Sequence, residues 1–178
     1  MNDNFTIEPA SLKDIPTLVS LINSAYRGEE SKKGWTTEAF LIEGEVRIDE
    51  DSLSDIIENA DADIIVYKNN HSTIEGSVYL HKKENKLYLG MLSVNPELQA
   101  KGIGKKLLYF AEKYAVEKKC TGIFMNVISL RSELIAWYER HGYVYLNERS
   151  PFPSDKRFGL ATLPLEFIIL EKKIINNL

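Results

Sequence analysis

The sequence predicts an α/β fold of the α+β kind, a single domain over residues 1–178. A mixed, mostly antiparallel twisted sheet of about seven strands carries about four helices on its two faces. Three observations predict it. Segments 62–68, 73–82 and 86–94 follow one another with a period of two, and the links Asn69-Asn70-His71 and Glu84-Asn85 are short enough to imply an antiparallel meander. The third of these strands runs through a glycine-bearing loop into a helical stripe and then a β-rich segment, 122–128, which makes a crossover unit. Finally, 178 residues of 44% hydrophobic composition suffice for one compact core and make a second domain unlikely.

Taken in order, residues 5–8 form a short strand that stops at Pro9. Ser11 or Asp14 caps a helix whose buried face carries Ile15, Leu18, Val19, Ile22, Ala25 and Tyr26, with Pro16 tolerated in its first turn and a stop at Arg27-Gly28. The stretch 29–51 is the least regular. A short helix is expected over 37–43, capped by Thr36 or Thr37, and another through Leu53, Ile56 and Ile57, capped by Asp51 or Ser52. After the meander, Ile103, Leu107, Phe110, Ala111, Tyr114 and Ala115 make the stripe of a helix that ends near Lys118 or Lys119. A helix over about 131–141 bears two stripes, Leu130, Leu134, Trp137 and His141 on one, Arg131, Ile135 and Tyr138 on its neighbour. Gly142 stops it, 143–147 starts a strand, 150–164 is a loop with three prolines, and 165–173 closes the sheet.

Lys and Arg total 22 against 26 Asp and Glu, a formal charge of −4, so no global cationic field draws in nucleic acid. The single cysteine, Cys120, has no partner for an internal disulfide, and no Cys/His cluster has zinc spacing, so no metal is expected. Met1-Asn2-Asp3-Asn4 lacks the basic and apolar regions of a secretory signal, and no apolar run approaches the ~20 residues of a membrane span. The expectation is a soluble cytoplasmic protein, monomer or homodimer, without membrane or nucleic-acid partners.

The stretch 87–106 concentrates the chemistry. An alternating apolar run ends at Asn95-Pro96, and Gly102 and Gly104 then lead directly into a helix. Glycines at a helix N-terminus leave backbone N–H groups unshielded where the helix dipole favours an anion, so a phosphate-bearing ligand is the first inference. The dinucleotide fingerprint needs a third glycine where this chain has Leu107, and a P-loop needs a Ser or Thr after its lysine, where Lys105 and Lys106 stand.

Gln99-Ala100-Lys101-Gly102-Ile103-Gly104 resembles the Q/R-x-x-G-x-G/A signature of the GNAT superfamily of acyl-CoA-dependent N-acyltransferases. Gly90-Met91-Leu92-Ser93-Val94 stands where that family has its central strand, and the run from Trp137 to Tyr143 resembles its L/F-Y-x-x-x-G-F/Y signature, so the resemblance covers nearly the whole chain. It implies acetyl-CoA as co-substrate, with the amides from about Lys101 through Gly102, Ile103, Gly104 and Lys105 to Lys106 around its pyrophosphate and with Gln99 and Ala100 in the same loop. It further implies a sheet splayed between the strand ending at Val94 and the one starting at Gly122, where the cofactor enters, and backbones of Leu92 and Val94 that face the pantetheine arm, with the Leu92 N–H as oxyanion donor. Tyr138 becomes the general acid that protonates the departing thiolate, a phenol of pKa near 10 being able to do so. On spacing alone Tyr138 is an ordinary amphipathic residue with a wet hydroxyl.

Arg131 departs from the family pattern, which has an asparagine near this position. Seven residues of helix put it roughly 10 Å from Tyr138 along one stripe, within reach of the cofactor, with a solvated surface arginine as the alternative. Asn126 is a second polar candidate. For the general base, Glu38, Glu29, His81 or a water chain could serve, the family's strand glutamate being replaced by Tyr88 and Gly90. Substrate contacts are expected from Tyr26, Arg27, Trp35, Thr36 and Glu38, with Phe152 and Arg157 across the cleft. Trp35 serves equally well as a core anchor. The implied activity is transfer of an acetyl group to a primary amine of a small molecule by direct attack in a ternary complex. The alternatives are a peptide or protein N-acetyltransferase, favoured by an open groove between 28–44 and 150–164, or a non-catalytic acyl-CoA sensor.

Overall fold

The computed structural model describes residues 5–175, so the expectation drawn from Met1 to Asn4 lies outside the described residues. The chain begins with β1 (Thr6–Pro9), followed by α1 (Ile15–Tyr26) and a single turn, α2 (Gly28–Ser31). A two-residue strand, β2 (Ile42–Glu43), and α3 (Glu50–Glu58) lead into the meander β3 (Ala62–Lys68), β4 (Ile74–Lys83) and β5 (Lys86–Val94). The crossover helix α4 (Ile103–Glu117) returns to β6 (Gly122–Ile128), after which come α5 (Ser132–Arg140), β7 (Val144–Pro151), β8 (Leu160–Ala161) and β9 (Glu166–Lys173).

Seven strands form one sheet in the order β1-β3-β4-β5-β6-β9-β7, in which only β5 and β6 run parallel. Period-two alternation divides the core into two layers. On β3, Ile65 and Tyr67 face the layer filled by Leu107, Leu108, Ala111 and Ala115 of α4, together with Leu134, Ile135 and Tyr138 of α5. Ile64 and Val66 face the opposite layer, built on Leu18, Ile22 and Ala25 of α1 and Leu53 of α3. Among the described residues no helix is long and apolar enough to cross a membrane.

The structure differs from these expectations in three places. The helix expected over 37–43 is absent, because the Thr37 hydroxyl accepts the Ala39 N–H at 3.1 Å in a local turn and the Glu38 N–H goes to the Tyr26 carbonyl at 2.9 Å. Ile42 and Glu43 pair instead with Ala161 and Leu160. The N-cap of α3 is Asp49, whose side chain accepts the Ser52 N–H at 2.8 Å, and neither Asp51 nor Ser52 caps. α1 stops at Tyr26 with Arg27 as its C-cap, as expected, and Gly28, at φ +66°, then turns the chain into α2. β7 extends to Pro151, into the expected loop, because β9 supplies partners as far as Pro151↔Glu166.

The splay expected between 94 and 122 is present. β5 and β6 pair only from Lys86↔Gly122 to Tyr88↔Phe124 and then part. Pairing of β5 with β4 slips between Ser77 and Tyr79, and Met91 sits at φ +44°, the mark of a β-bulge.

Tyr143, just outside β7, is 1% exposed, and its hydroxyl has no hydrogen-bond partner among the described residues. Burial pushes its phenol well above the ordinary range. A buried unpaired hydroxyl forfeits its hydration, so Tyr143→Phe is expected to stabilise the fold by about 1 kcal/mol, read as a higher urea midpoint at unchanged slope.

Candidate active site

Where β5 and β6 part, a cavity of about 660 Å³ opens between β5, the loop before α4 and one face of α5. Its lining includes Leu92 and Val94, Gln99, Ala100 and Gly102 to Lys105, with Trp137, Tyr138 and His141 opposite and Tyr26, Trp35 and Thr36 at one side. The loop is built by the Asn95 side chain, which accepts the Glu97 N–H at 3.0 Å, and by left-handed backbone at Ala100 (φ +67°) and Gly102 (φ +85°). At the start of α4 the first intrahelical acceptor is the Gly102 carbonyl, taken by Lys106 N–H at 3.0 Å, which leaves the amides of Gly102, Ile103, Gly104 and Lys105 without intrahelical partners. A Cβ on Gly104 would meet only Val94 and Trp137, at 3.7 and 3.9 Å.

The expected span of free amides therefore narrows. The Lys101 N–H bonds the Leu98 carbonyl at 3.4 Å, and Lys106 is consumed by the helix. Neither residue lines the cavity, and the Lys106 ammonium lies 4.1 Å from the ring centre of Phe5 and 5.3 Å from that of Tyr67. Gln99 is a strut: its Oε1 accepts the Trp35 N–H at 2.8 Å, and its Nε2 donates to Thr36 Oγ1 at 2.7 Å and to the Val94 carbonyl at 3.2 Å. This holds Trp35 6.2 Å from Trp137, ring centre to ring centre. Gly34 is required beside it, since a Cβ there would come within 2.5 Å of Gln99 Oε1.

The bulge sets the inner wall. Gly90 pairs with Tyr79 and Ser93 with Ser77, so Met91 and Leu92 together stand opposite Val78. Leu92 thus falls out of register at the point where β6 has already departed, and its carbonyl accepts the Tyr26 hydroxyl at 2.5 Å. A lone glycine within an alternating strand is the signal that marks such a bulge in a sequence, and Gly90 carries it.

Tyr138 is 5% exposed, its ring 5.0 Å from Trp137 and 5.7 Å from Tyr143. Burial pushes its phenol well above the usual value, with Arg131 pulling weakly the other way. Behind Tyr26, Leu92, Leu134 and Tyr138 lies a second, adjoining cavity of about 60 Å³, lined also by Glu38, Arg47, Asn126, Arg131, Phe152 and Phe167. Arg27 Nη1 pairs with Glu38 Oε2, Arg131 Nη1 stands 3.5 Å from Glu38 Oε1, and the Arg47 guanidinium lies 4.8 Å from the Tyr26 ring centre. Burial alone would raise the Glu38 carboxyl, but Arg47, Arg27 and Arg131 outweigh it and hold it below the ordinary carboxylate range.

The expected site residues therefore separate into two groups. Trp35 and Thr36 line the larger cavity, Glu38 and Arg131 the smaller, and Tyr26 both. Arg131, expected along the cofactor arm, is the N-cap of α5, lines the smaller cavity rather than the larger, and approaches Glu38. Arg27 lines neither cavity, being buried against Glu38. Asn126 and Phe152 reach the smaller cavity, whereas Arg157 is exposed beside Asp155. Of the expected bases, Glu38 is held ionised by its guanidiniums, Glu29 pairs with Lys32 at the surface, and His81 Nδ1 bonds Tyr79 at 2.9 Å. Sequence reasoning missed Arg47 and His141 as lining residues; Arg47, in an irregular stretch, offers no periodic signal.

The pattern of the acetyltransferase (GNAT) family matches residues 21–143. An acetyltransferase of Agrobacterium fabrum is 27% identical over 90 residues, 51% of this chain and 64% of that protein, so the match spans less than two thirds of the relative's length. The ribosomal-protein-S18-alanine N-acetyltransferase of Escherichia coli shares the fold with a TM-score of 0.71 at 15% identity, over 98% of this chain and 99% of that one. The PaiA N-acetyltransferase of Thermoplasma acidophilum, solved in complex with coenzyme A, superposes with a TM-score of 0.67 at 23% identity, over 96% and 99%.

Since a Gly104 side chain would clear its protein neighbours yet project into the larger cavity, Gly104→Glu is expected to keep the fold, by circular dichroism, and to abolish acetyl-CoA binding in calorimetry. Unchanged binding would remove the loop from the site.

Proposed function

Because the chain belongs to the GNAT acetyltransferase family, we propose that it transfers an acetyl group from acetyl-CoA to the primary amine of a small molecule, by direct attack within a ternary complex. The observation that carries this reading is the meeting of the two cavities at Leu92 and Tyr138, one large enough for a cofactor arm and one sized for a small polar group. Acetyl-CoA brings an activated thioester to that junction.

The residues fit such a ligand. The amides of Gly102, Ile103, Gly104 and Lys105 are the donors for its pyrophosphate, aided by the positive end of α4. The bulge at Met91 turns the Leu92 backbone toward the junction, where its N–H stabilises the oxyanion; such a donor is worth on the order of 3 kcal/mol. The Tyr26 hydroxyl, bonded to the Leu92 carbonyl at 2.5 Å, fixes the next peptide, Leu92–Ser93, on the other side of the Leu92 Cα. Tyr138 keeps its phenolic proton throughout the neutral range, because burial disfavours the phenolate, and so stands as the donor to the departing thiolate. The attacking amine loses its proton to water rather than to Glu38, whose carboxylate is committed to arginines.

A small acceptor is favoured over a peptide by the contact between the segments that would flank an open groove. Ile42↔Ala161 and Glu43↔Leu160 pair as strands, and the Thr162 N–H bonds the Leu41 carbonyl at 2.9 Å. Gly159 permits this closure, since a Cβ there would lie 2.4 Å from Ile42.

Thiol release from acetyl-CoA over matched panels of small amines and peptides tests the proposal. Turnover confined to peptides would overturn the small-molecule reading. Tyr138→Phe is expected to lower kcat at least a hundredfold while the KM for acetyl-CoA changes little, and a fully active variant would remove the acid role.

A further inference from the structure

The smaller cavity holds an imbalance of charge. Two guanidiniums, Arg47 and Arg131, line it with one carboxylate, Glu38, whose Oε2 is already taken by Arg27 outside the cavity. The side chains of Arg131 and Glu38 are each 9% exposed. Arg27 has taken Glu38 Oε2, and the nearest Arg131 approach to Oε1, 3.5 Å, is a charge contact longer than a good hydrogen bond. Nη1 and Nη2 of Arg131 and Nε of Arg47 are buried without a hydrogen-bond partner among the described residues. Buried charged donors are costly unless paired, and here the carboxylate count falls short.

Both residues line the cavity that begins behind Leu92 and Tyr138. This cavity adjoins the larger one at Tyr26, Leu92, Leu134 and Tyr138, and other parts of its wall, Asn126, Phe152 and Phe167, come from β6, from just past β7 and from β9 rather than from the loop before α4. A planar guanidinium presents a fork of donors matched to the two oxygens of a carboxylate. A cavity of about 60 Å³ has room for such a group.

We propose that Arg131, assisted by Arg47, binds a carboxylate on the acceptor, so that the substrate class is an amine bearing a carboxylate, an amino acid in the chemical sense. This rests on the transferase reading above, and it makes Arg131 a specificity-determining residue. The positive excess disfavours polyamines and other purely cationic acceptors, and Glu38 serves to hold Arg27 and Arg131 in position.

The test compares the proteinogenic amino acids with their amides and with the corresponding decarboxylated amines, ranking kcat/KM at saturating acetyl-CoA. The wild-type protein is expected to favour free carboxylates at least tenfold. In Arg131→Met that preference disappears, and Arg131→Lys, which keeps the charge but not the fork, recovers part of it; circular dichroism and a thermal melt confirm that both variants fold. Equal or better turnover of the amides and decarboxylated amines by the wild type overturns the proposal, as does an undiminished preference in folded Arg131→Met. It is equally overturned if amines without a carboxylate are turned over with succinyl-CoA but not with acetyl-CoA, which would put the anion on the acyl chain. Calorimetry with CoA present separates this proposal from the reading it rests on. If N-acetyl amino acids bind while their amides do not, and no amine is turned over, the carboxylate site stands and the transferase reading falls. If neither class binds nor any acid is turned over, the carboxylate site falls, whatever the affinity for CoA itself.

Discussion

The structure depends on one interruption of hydrogen bonding, the parting of β5 from β6 after Tyr88↔Phe124. A sheet that stayed paired would have no cavity and no unpaired backbone to offer a ligand. The bulge at Met91 enforces the parting from the other side, by adding a residue to β5 opposite Val78 and so bending the strand away. Left-handed backbone at a non-glycine residue is strained, and it persists because the surrounding layers determine it: Met91 packs against the α1 layer, and Leu92 against the α4 layer. The Tyr26 hydroxyl then fastens the displaced Leu92 peptide to the end of α1.

Other parts of the site are positioned by reference to that gap. The helix that covers the crossover begins at its mouth, so the unpaired amides at the start of α4 face the opening. Gln99 ties the segment Trp35–Thr36 across the loop, and Trp35 approaches Trp137 on α5 from the far side. The two walls of the larger cavity thus come from elements far apart in the chain, joined by one amide side chain and an aromatic contact.

The smaller cavity has a different logic. Residues 27, 38, 47 and 131 converge on one buried point, where hydrophobic packing alone would have sufficed to fill the space. A buried ion cluster seldom adds net stability over an apolar one, so its retention beside the junction of the cavities is better understood as recognition than as structure. The β2–β8 pairing, with Gly159 allowing the backbones to approach, runs close to Arg27 at the edge of this cluster.

The amino-acid sequence by itself determined the elements whose signals are local. The meander's strands, the glycine start of α4 and the stripe of α5 follow from periodicity and from residues that tolerate particular backbone angles, and the order of these elements carried the family resemblance. Even the bulge had a local mark in Gly90. Tertiary structure decided much of the outcome for 29–51, where no period exists: the Glu38 N–H leaves the expected helix for the Tyr26 carbonyl at the end of α1, and Ile42 and Glu43 become a strand because Leu160 and Ala161 lie beside them. It also decided that Arg131 faces Glu38 rather than the cofactor arm, and that Arg47 joins it. Charges at positions 38, 47 and 131 have no shared spacing to read, since what unites them is a common low-dielectric pocket that exists only once the sheet has split and the helices have closed over it.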